Sequence, residues 1–454
     1  MQPPAPPALP ALPANVERVL STLWRSGHAA YVVGGGLRDT LLGRSAQDWD
    51  VATSALPETV AGLFAASRYE NRFGTVTVPG DSAGGIEITT FRRDHQYADH
   101  RRPDSVTFTD SLDADLARRD FTVNAIAWGK RSAGDSAGWA DPAGGRADLD
   151  ARVIRAVGDP TRRFDEDALR LLRAARFAAQ LGFTIEPTTL DAMSATADTI
   201  SHVSRERVGM ELRKMLRADP PSAAFRILAE TGVLAGAVPE LDAQRGVPQE
   251  KATGDDLWGH CLRTVDAAAG LSDDETLRLA ALLHDIGKPP TFADGHFIGH
   301  DSEGAKLADA LLTRLAYQRR VIDEVVVLID NHMFSYESRW SGAAIRRFIR
   351  RVGREHIAAL LDLRRADNVG SGLPANAGHL DELESRIRAE LEAKAPLTLR
   401  ELAIDGNDLV TELGIAPSPQ VGELLERLLN EVLADPSRNT REALLGQVRD
   451  WSAI

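Results

Sequence analysis

The chain has 454 residues, of which 43% are hydrophobic and 26% charged, as in a soluble globular protein of about two to four domains. It has one cysteine and no run of about eighteen apolar residues, which excludes a disulfide framework, a cysteine-rich zinc site and a transmembrane helix. A net charge of −13 argues against an indiscriminate nucleic-acid coat. Locally, residues 152–217 carry twelve Lys or Arg against nine Asp or Glu, which fits either a nucleic-acid surface or a helical surface with many ion pairs.

The composition and the periodicity of the apolar residues divide the chain into five parts. The beginning is rich in Pro and Ala and lacks the features of a signal peptide, so we predict a disordered leader. The single cysteine suits a reducing compartment, and we expect a cytoplasmic location. Strand and helix patterns alternate up to about residue 139, and the rest is almost wholly helical. The predicted parts are a leader (1–14), an α/β head (15–150), a helical neck and body (151–245), a second helical domain (250–370) and a helical tail (371–454).

The first informative segment joins an apolar strand, 29–33, to a glycine turn at Gly34 and Gly35 and a helical turn at 37–43. Such a junction binds anions, because glycine lets the backbone approach a phosphate and the free N–H groups at a helix start point toward it. Taken alone, a glycine pair is more often an ordinary tight turn.

Acidic residues follow this turn. Asp48 and Asp50 are two apart in a β-like stretch, so both carboxylates should project from one face and share divalent metal, namely Mg²⁺. In the strand at 85–89, Glu87 faces opposite the isoleucines and is a candidate third carboxylate; an exposed strand glutamate is the alternative. Short β-branched segments at 75–78, 86–91 and 105–109 fit a small mixed sheet.

Two polar clusters come next. In the segment 118–126, arginine can pair with phosphate, while aspartate and asparagine can bond hydroxyl groups. A long helix is predicted from Arg163 through Gln180, with Asp167 and Arg170 sharing a face. That pair would read the pairing edge of cytosine or adenine, because uracil and guanine present a carbonyl where those bases carry an amine. An acidic helix start with one surface ion pair is the competing interpretation.

These motifs, in this order, carry a resemblance: Gly34-Gly35, Asp48-x-Asp50, Arg118-Arg119-Asp120, Asp141-Pro142 and Glu166-Asp167-x-x-Arg170. They resemble those of the class II tRNA nucleotidyltransferases, the CCA-adding enzymes and their bacterial poly(A) polymerase relatives, over about residues 27–240. One departure is visible, since Gly36 and Leu37 replace the usual Ala and Val. Both changes are conservative, and we expect the site to survive.

The resemblance implies a template-independent polymerase with a polymerase-β-like head and an all-α body, and with CTP, ATP and tRNA as partners. Asp48 and Asp50 would hold Mg²⁺, and Asp167 with Arg170 would select the base. Residues 92–103 match a flexible segment that helps such enzymes move from C to A addition. The candidate nucleotide-binding residues are Gly34, Gly35, Arg38, Arg118, Asp120, Asn124, Asp167, Arg170, Arg173 and Arg176.

A second chemistry lies further along, where His284 and Asp285 follow an apolar helix and suggest a metal centre. Imidazole nitrogen with carboxylate oxygen suits Zn, Mn, Ni or Mg, and the sequence does not decide among them. With His260 and Asp367 the set resembles an HD phosphohydrolase domain, which would act on phosphoesters of RNA ends. Three further residues are candidates for a second ion, namely His300, Asp301 and His332.

Three functions stay open: a tRNA nucleotidyltransferase that adds CCA, an HD phosphohydrolase with a degenerate head, and an idle RNA-binding protein. The first is favoured because Asp48, Asp50, Asp167 and Arg170 are all present. A addition alone and poly(A) tailing share nearly all of these motifs. The tail, 399–451, resembles helices that hold the tRNA elbow, with a structural cap as the alternative. The oligomeric state carries no signal.

Overall fold

The computed structural model describes residues 12–46, 48–69, 74–79, 85–95 and 105–452. Contacts within the chain divide it into two compact units, Met1–Pro239 and Glu240–Ile454. Most of the predicted leader and residues 96–103 of the predicted flexible segment lie outside the described residues. No helix of the described part is long and apolar enough to cross a membrane.

The first unit begins as a mixture of strands and helices. Its strands are β1 (Ala30–Val33), β2 (Trp49–Thr53), β3 (Arg68–Tyr69), β4 (Thr75–Val78), β5 (Ile86–Thr90), β6 (Arg92–His95), β7 (Ser105–Phe108), β8 (Ala127–Lys130), β9 (Gly138–Ala140), β10 (Val153–Ile154) and β11 (Thr184–Ile185). Its helices are α1 (Ala14–Arg25), α2 (Gly34–Leu41), α3 (Pro57–Leu63), α4 (Leu112–Ala117), α5 (Gly145–Ala151), α6 (Pro160–Glu166), α7 (Leu169–Leu181), α8 (Pro187–Ala195), α9 (Arg205–Met215), α10 (Ser222–Glu230) and α11 (Val233–Ala237).

In the described residues, seven of these strands form one mixed sheet in the order β3-β4-β5-β2-β1-β8-β9, with β2 and β5 parallel. The segment predicted at 105–109 is not part of it, which corrects our expectation. It forms β7 and pairs with β6 in a separate two-stranded ribbon. A β-branched pattern identifies a strand but does not specify its partner, so the pairing of β7 with β6 could not be predicted from the sequence.

The sheet register puts two acidic side chains on one face. Val33 lies opposite Asp50, and Asp50 lies opposite Glu87. Directly opposed residues of neighbouring strands share a face, as do alternate residues along each strand. Tyr31 and Ala52 therefore lie on the same face, where they belong to the buried core of the head. The acidic pair thus stands at the end of an apolar face.

The helix predicted as continuous from Arg163 through Gln180 is two helices, α6 and α7, and this prediction was wrong. Asp167 between them has extended backbone, with φ −147° and ψ 101°. Its Oδ1 accepts a hydrogen bond from the Leu169 N–H at 3.2 Å. Aspartate side chains compete for nearby backbone N–H groups, which favours a cap over a helix interior. The helix α2 likewise begins at Gly34, three residues before the predicted turn.

The second unit is helical throughout its regular structure. Its helices, with α12 at the unit boundary, are α12 (Pro239–Asp242), α13 (Leu257–Leu271), α14 (Glu275–Leu283), α15 (Lys288–Thr291), α16 (His300–Arg314), α17 (Arg319–Asn331), α18 (Gly342–Val352), α19 (Ile357–Gly370), α20 (Leu380–Glu392), α21 (Gly406–Leu413), α22 (Pro419–Ala434) and α23 (Arg441–Ser452).

In this unit α13 packs on α14 and α19, and α16 packs on α17. The thiol of Cys261 on α13 is fully buried. Further along, α18 packs on α20 and α22. The buried Arg346 of α18 donates to the carbonyl oxygens of Leu433 and Ala434 at 2.8 and 3.1 Å, and thereby caps the C-terminal end of α22.

Candidate functional sites

The turn between β1 and α2 brings the backbone against a carboxylate. Gly34 has φ +76°, and a Cβ placed on it would lie 2.7 Å from Oδ2 of Asp50. A side chain there would be strained by its backbone conformation and would collide with the carboxylate. Glycine is required at this position for two independent reasons.

We therefore expect Gly34→Ala to lower nucleotide-dependent activity strongly, and to lower the free energy of unfolding by about 1–2 kcal/mol because of the positive φ. Gly43→Ala is the matched control, since Gly43 has φ +69° and no atom within 4 Å of its Cβ position. Chemical denaturation should show a similar stability loss in both variants. Equal activity loss in both would mean that the contact with Asp50 is irrelevant.

Gly36 serves a different contact. A Cβ on it would lie 2.5 Å from the backbone oxygen of Asp48 and 3.3 Å from the Trp49 ring. Helix α2 and strand β2 therefore approach more closely than an alanine at position 36 would allow. Gly36 is one of the two positions at which the sequence departs from the usual pattern, and here the departure permits this close approach.

The three predicted catalytic carboxylates line one cavity of about 460 Å³. Burial raises the pKa of Asp50, the neighbouring Asp48 raises it further, and Arg119 opposes them. A divalent cation beside these carboxylates would favour the charged form of Asp50. The cavity is lined by Gly34, Gly35, Gly36, Arg38, Asp39, Ser45, Asp48, Asp50, Glu87, Arg119, Asp120, Asn124, Arg173, Phe177 and Lys214.

A chain of hydrogen bonds fixes the polar side chains beside this cavity. Arg38 NH1 donates to Oδ1 of Asn124 at 2.8 Å, and Asn124 Nδ2 donates to Oδ1 of Asp120 at 3.1 Å. Arg173 completes the chain, with Nε 2.8 Å from Oδ2 of Asp120. Burial alone would raise the pKa of Asp120, but Arg173 and Asn124 hold it well below its usual range. The Asp120 carboxylate thus holds Arg173 directly and Arg38 through the side-chain amide of Asn124.

Phe177 supports the same cations. The guanidinium carbons of Arg38, Arg173 and Arg176 lie 5.0, 5.1 and 4.0 Å from the centre of its ring. Arg176 Nε donates to Oε2 of Glu211 at 2.6 Å. Arg176 lines neither this cavity nor the neighbouring cavity that holds Asp167 and Arg170. The structure thus gives Arg176 a supporting position behind the predicted nucleotide-binding residues.

The predicted base-reading pair lies in a second cavity of about 330 Å³. The Asp167 carboxylate is paired with Arg207, at 2.9 Å between Oδ2 and NH2. Arg170 NH1 donates to Oε2 of Glu166 at 3.0 Å, and its NH2 donates to the backbone oxygen of Arg118 at 3.1 Å. The two residues share a cavity but have separate partners, because Asp167 precedes α7 instead of lying on it.

Sequence reasoning missed two functional neighbours. Arg119 lies beside Asp50 and Gly34, and its NH1 donates to the backbone oxygen of Asn124 at 3.3 Å. Its position beside Arg118 in the Arg118-Arg119-Asp120 motif could have identified Arg119 as a site residue. Arg207 reaches Asp167 from α9, forty positions along the chain, and no local pattern indicates that pairing. The predicted Arg118 lines the second cavity and pairs with the buried Asp115 at 2.7 Å.

In the second unit, five helices bring imidazole and carboxylate groups around Asp285. His260 comes from α13, His284 ends α14, and Asp367 comes from α19. His260 Nε2 lies 3.2 Å from Oδ1 of Asp367, and His284 Nε2 lies 3.2 Å from Oδ2 of Asp285. All these side chains are buried. The ligand atoms of His260, His284 and Asp285 lie within 4.8 Å of one another.

Asp285 also joins a second group. Nε2 of His300 and of His332 lie 3.4 and 3.6 Å from its Oδ1. These two Nε2 atoms are buried and have no hydrogen-bond partner in the described residues. Asp301 is not in the cluster, and its Oδ1 accepts from the N–H of Ser302. Of the predicted residues, Asp301 is the one that the structure sets apart.

The tautomers of three rings can be read from their backbone contacts. Nδ1 of His284, His300 and His332 lies 2.9, 2.7 and 2.6 Å from the carbonyl oxygen three residues earlier. A carbonyl only accepts, so Nδ1 carries a proton in each ring, and in the neutral form of the ring Nε2 presents its lone pair to the centre. Histidine metal ligands are oriented in this way, so the residues fit a divalent cation.

Charge in this centre is unusually concentrated. Burial alone would raise the pKa of Asp285, but His284 and Lys288 hold it well below its usual range. Lys288 Nζ lies 2.6 Å from Oδ2 of Asp285 and is itself buried. Burial lowers the pKa of His284. Lys288 was not among the residues predicted for this centre.

A mixed sheet with a glycine turn, paired carboxylates and a base-sized cleft defines a nucleotidyltransferase head, and the second unit defines an HD domain. Family models agree: poly(A) polymerase head domain at residues 30–155, a probable RNA-binding region of that polymerase at 182–245, and HD domain at 257–371.

The CCA-adding enzyme of Geobacillus thermodenitrificans is 34% identical over 96% of both chains. That of Geobacillus kaustophilus is 45% identical over 48% of this chain and 52% of its own. The crystal structure of the Bacillus stearothermophilus CCA-adding enzyme in complex with CTP has 29% identity and a TM-score of 0.73, covering 97% of this chain and all of that one. The chain belongs to the family of CCA-adding enzymes and is a tRNA nucleotidyltransferase.

Proposed function

We propose that the chain adds C, C and A in order to the 3′ end of tRNA, with CTP and ATP as donors. The proposal rests on the fact that the predicted metal site and the predicted base-reading site adjoin each other. The first contains Asp50 and Glu87, and the second contains Asp167 and Arg170. Asp50 and Glu87 line both cavities, so a triphosphate and its base have adjoining places.

In the reaction, the terminal 3′ hydroxyl oxygen of tRNA forms a bond to the α-phosphorus, the bond to pyrophosphate breaks, and the hydroxyl proton is released to solvent. Divalent metal, when bound, supplies positive charge for the attacking hydroxyl and the departing pyrophosphate. We assign that metal to Asp48 and Asp50, with Glu87 beside them, and propose Mg²⁺. Arg38 of α2 and Arg119, which follows α4, line the same cavity and supply positive charge for the phosphates, while Asp120 holds Arg173 in place.

Base selection should depend on Arg170. We expect Arg170→Ala to lower incorporation of CTP and ATP about 10- to 100-fold and to weaken discrimination against UTP and GTP, because one guanidinium to the base edge is lost. Single-nucleotide incorporation with each triphosphate measures this. Arg162→Ala is the matched control, since Arg162 pairs with the same Glu166 but is 78% exposed. Unchanged selectivity in Arg170→Ala would assign base reading to another residue.

The overall function is tested with three tRNA transcripts that end before CCA, after C and after CC, each supplied with CTP, ATP or both. Ordered addition of C, C and A followed by a stop is the expected result. A addition to the CC-ended transcript alone would make the chain the A-adding half of a split pair. A long run of A would make it a poly(A) polymerase.

Binding of tRNA should involve backbone phosphates more than sequence, so affinity should fall as salt rises. Several cations of residues 152–217 are engaged in ion pairs, including Arg155, Arg176 and Arg207, and these pairs compete with phosphate contacts of the same side chains. The tail helices stay a candidate surface for the tRNA elbow. We propose a cytoplasmic location, which suits a chain with one cysteine.

We further infer that the HD domain is a metal-dependent phosphohydrolase of RNA ends, such as 2′,3′-cyclic phosphates. The buried imidazole and carboxylate set carries this inference. Water would add to phosphorus, one ester P–O bond would break, and the proton would pass to the leaving oxygen. The bound ion supplies activation of that water. Imidazole ligands favour Mn, Ni or Zn over Mg here.

A further inference from the structure

An aromatic pair stands at the edge of the Asp285 centre and has no part in the functions above. The rings of Phe292 and Phe297 have centroids 5.1 Å apart and planes 30° apart. Phe292 is 43% exposed, and the adjacent Ile298 is 87% exposed. Exposed aromatic and aliphatic side chains beside a buried polar centre offer a surface against which an apolar group of a ligand can pack.

The segment that carries the rings is tied to the centre. A β-bridge joins Ala293 to His296 across a turn with positive φ at Asp294 and Gly295. The carbonyl oxygen of Phe297 accepts the Nδ1–H of His300, one of the rings that faces Asp285. The backbone of Phe297 is therefore held next to a predicted metal ligand.

Lys288 joins the rings to the charged centre. Its Nζ lies 5.3 Å from the centre of the Phe297 ring and 2.6 Å from Oδ2 of Asp285. The Lys288 ammonium, which suits a phosphate, thus lies close to the flat apolar ring of Phe297. A nucleoside phosphoester has the same arrangement, with a charged phosphate and a flat base on either side of a ribose.

We propose that Phe292 and Phe297 form a stacking subsite for the base of a nucleoside phosphoester whose phosphate lies at the Asp285 centre. The inference rests on the proposed hydrolase function. Stacking on aromatic side chains is tolerant of base identity, because every base has a π-face. The subsite selects nucleotides over phosphoesters without a base and accepts any of the four bases.

Binding provides a test that is independent of turnover. Adenosine 2′-monophosphate and inorganic phosphate are titrated by calorimetry, with Mn²⁺ present, into the full chain, Phe292→Ala, Phe292→Tyr and Leu271→Ala. Nucleotide binding by the head contributes equally in all four proteins, so differences in affinity between them report on the HD domain. Leu271 is the control: it is 48% exposed and lies eleven residues, about 16 Å, along α13 from His260.

We expect Phe292→Ala to weaken binding of the nucleotide about tenfold and to leave binding of phosphate unchanged. Phe292→Tyr should bind as the natural chain does, and Leu271→Ala should change neither affinity. Equal weakening of both ligands, or no change in either, would overturn the subsite.

Hydrolysis separates this inference from the function on which it rests. Adenosine 2′,3′-cyclic phosphate is compared with glycerol 1,2-cyclic phosphate, which has no base. A KM increase of about tenfold in Phe292→Ala for the first substrate alone supports the subsite. A KM change that is equal for both would overturn it. If the natural chain hydrolyses neither, the hydrolase proposal fails, and the calorimetry alone decides the subsite.

Discussion

Asp50→Ala should abolish nucleotide addition, with a loss of about 10³-fold or more in the rate of the first C added to tRNA. The expected loss corresponds to several kcal/mol of transition-state stabilisation, which is what a metal-held phosphoryl transfer derives from its carboxylates. Asp50 combines the closest contact with the glycine turn and a place in both cavities. Arg119 also lies near Gly34 and lines both cavities, but it is a cation and cannot bind a metal ion.

Single-turnover incorporation of CTP on a tRNA lacking CCA measures this effect. Glu58→Ala in α3 is the control, because Glu58 is an exposed carboxylate of the same head. Thermal unfolding should change little, since burial raises the pKa of Asp50 and its charged form is not a stabilising element. Addition near the rate of the natural chain would remove Asp50 from the metal site.

Asp285→Asn should empty the HD centre of metal while nucleotide addition continues. Asp285 belongs to both groups of clustered ligands, so the loss of its charge affects each candidate ion. Metal content after dialysis, measured by plasma mass spectrometry, is expected to fall from a stoichiometric value to near zero, and hydrolysis of cyclic phosphate should fall with it. Asp301→Asn is the matched control, because Asp301 neighbours His300 in the chain but lies outside the cluster.

The metal-free variant should also lose stability. Lys288 is buried against Asp285, and removing one partner of a buried pair costs about 3–5 kcal/mol. Circular dichroism must therefore show a folded protein before metal content is interpreted. Metal retention at full stoichiometry in a folded Asp285→Asn protein would contradict our assignment of the ligands.

The sequence predicts the local elements of the head well. The strand at 75–78 has the bounds that were expected, and β1 differs by one residue from the prediction. Adjacent His and Asp after an apolar helix predicted a metal centre, and the resemblance to HD domains added His260 and Asp367, which are far apart in the chain. The structure brings both residues to within hydrogen-bonding distance of each other.

What the sequence could not predict depends on partners that are distant in the chain. The break at Asp167 was missed, because acidic residues in a first helical turn and an aspartate cap look alike in sequence. The pairing of Asp167 with Arg207, forty positions further along the chain, follows from tertiary packing. The detached ribbon of β6 and β7 was missed for the same reason, since strand pairing is not encoded locally.

The buried thiol of Cys261 provides a way to measure how often the HD core opens. It is the single cysteine of the chain, and it follows the predicted ligand His260 on α13. A thiol reagent can reach it only in molecules whose helices have separated, so the labelling rate under native conditions measures that opening equilibrium. A metal that binds only the closed core makes opening rarer in proportion to its occupancy. Slower labelling would then rank Mn, Ni, Zn and Mg by affinity, with no substrate, no introduced probe and no mutation.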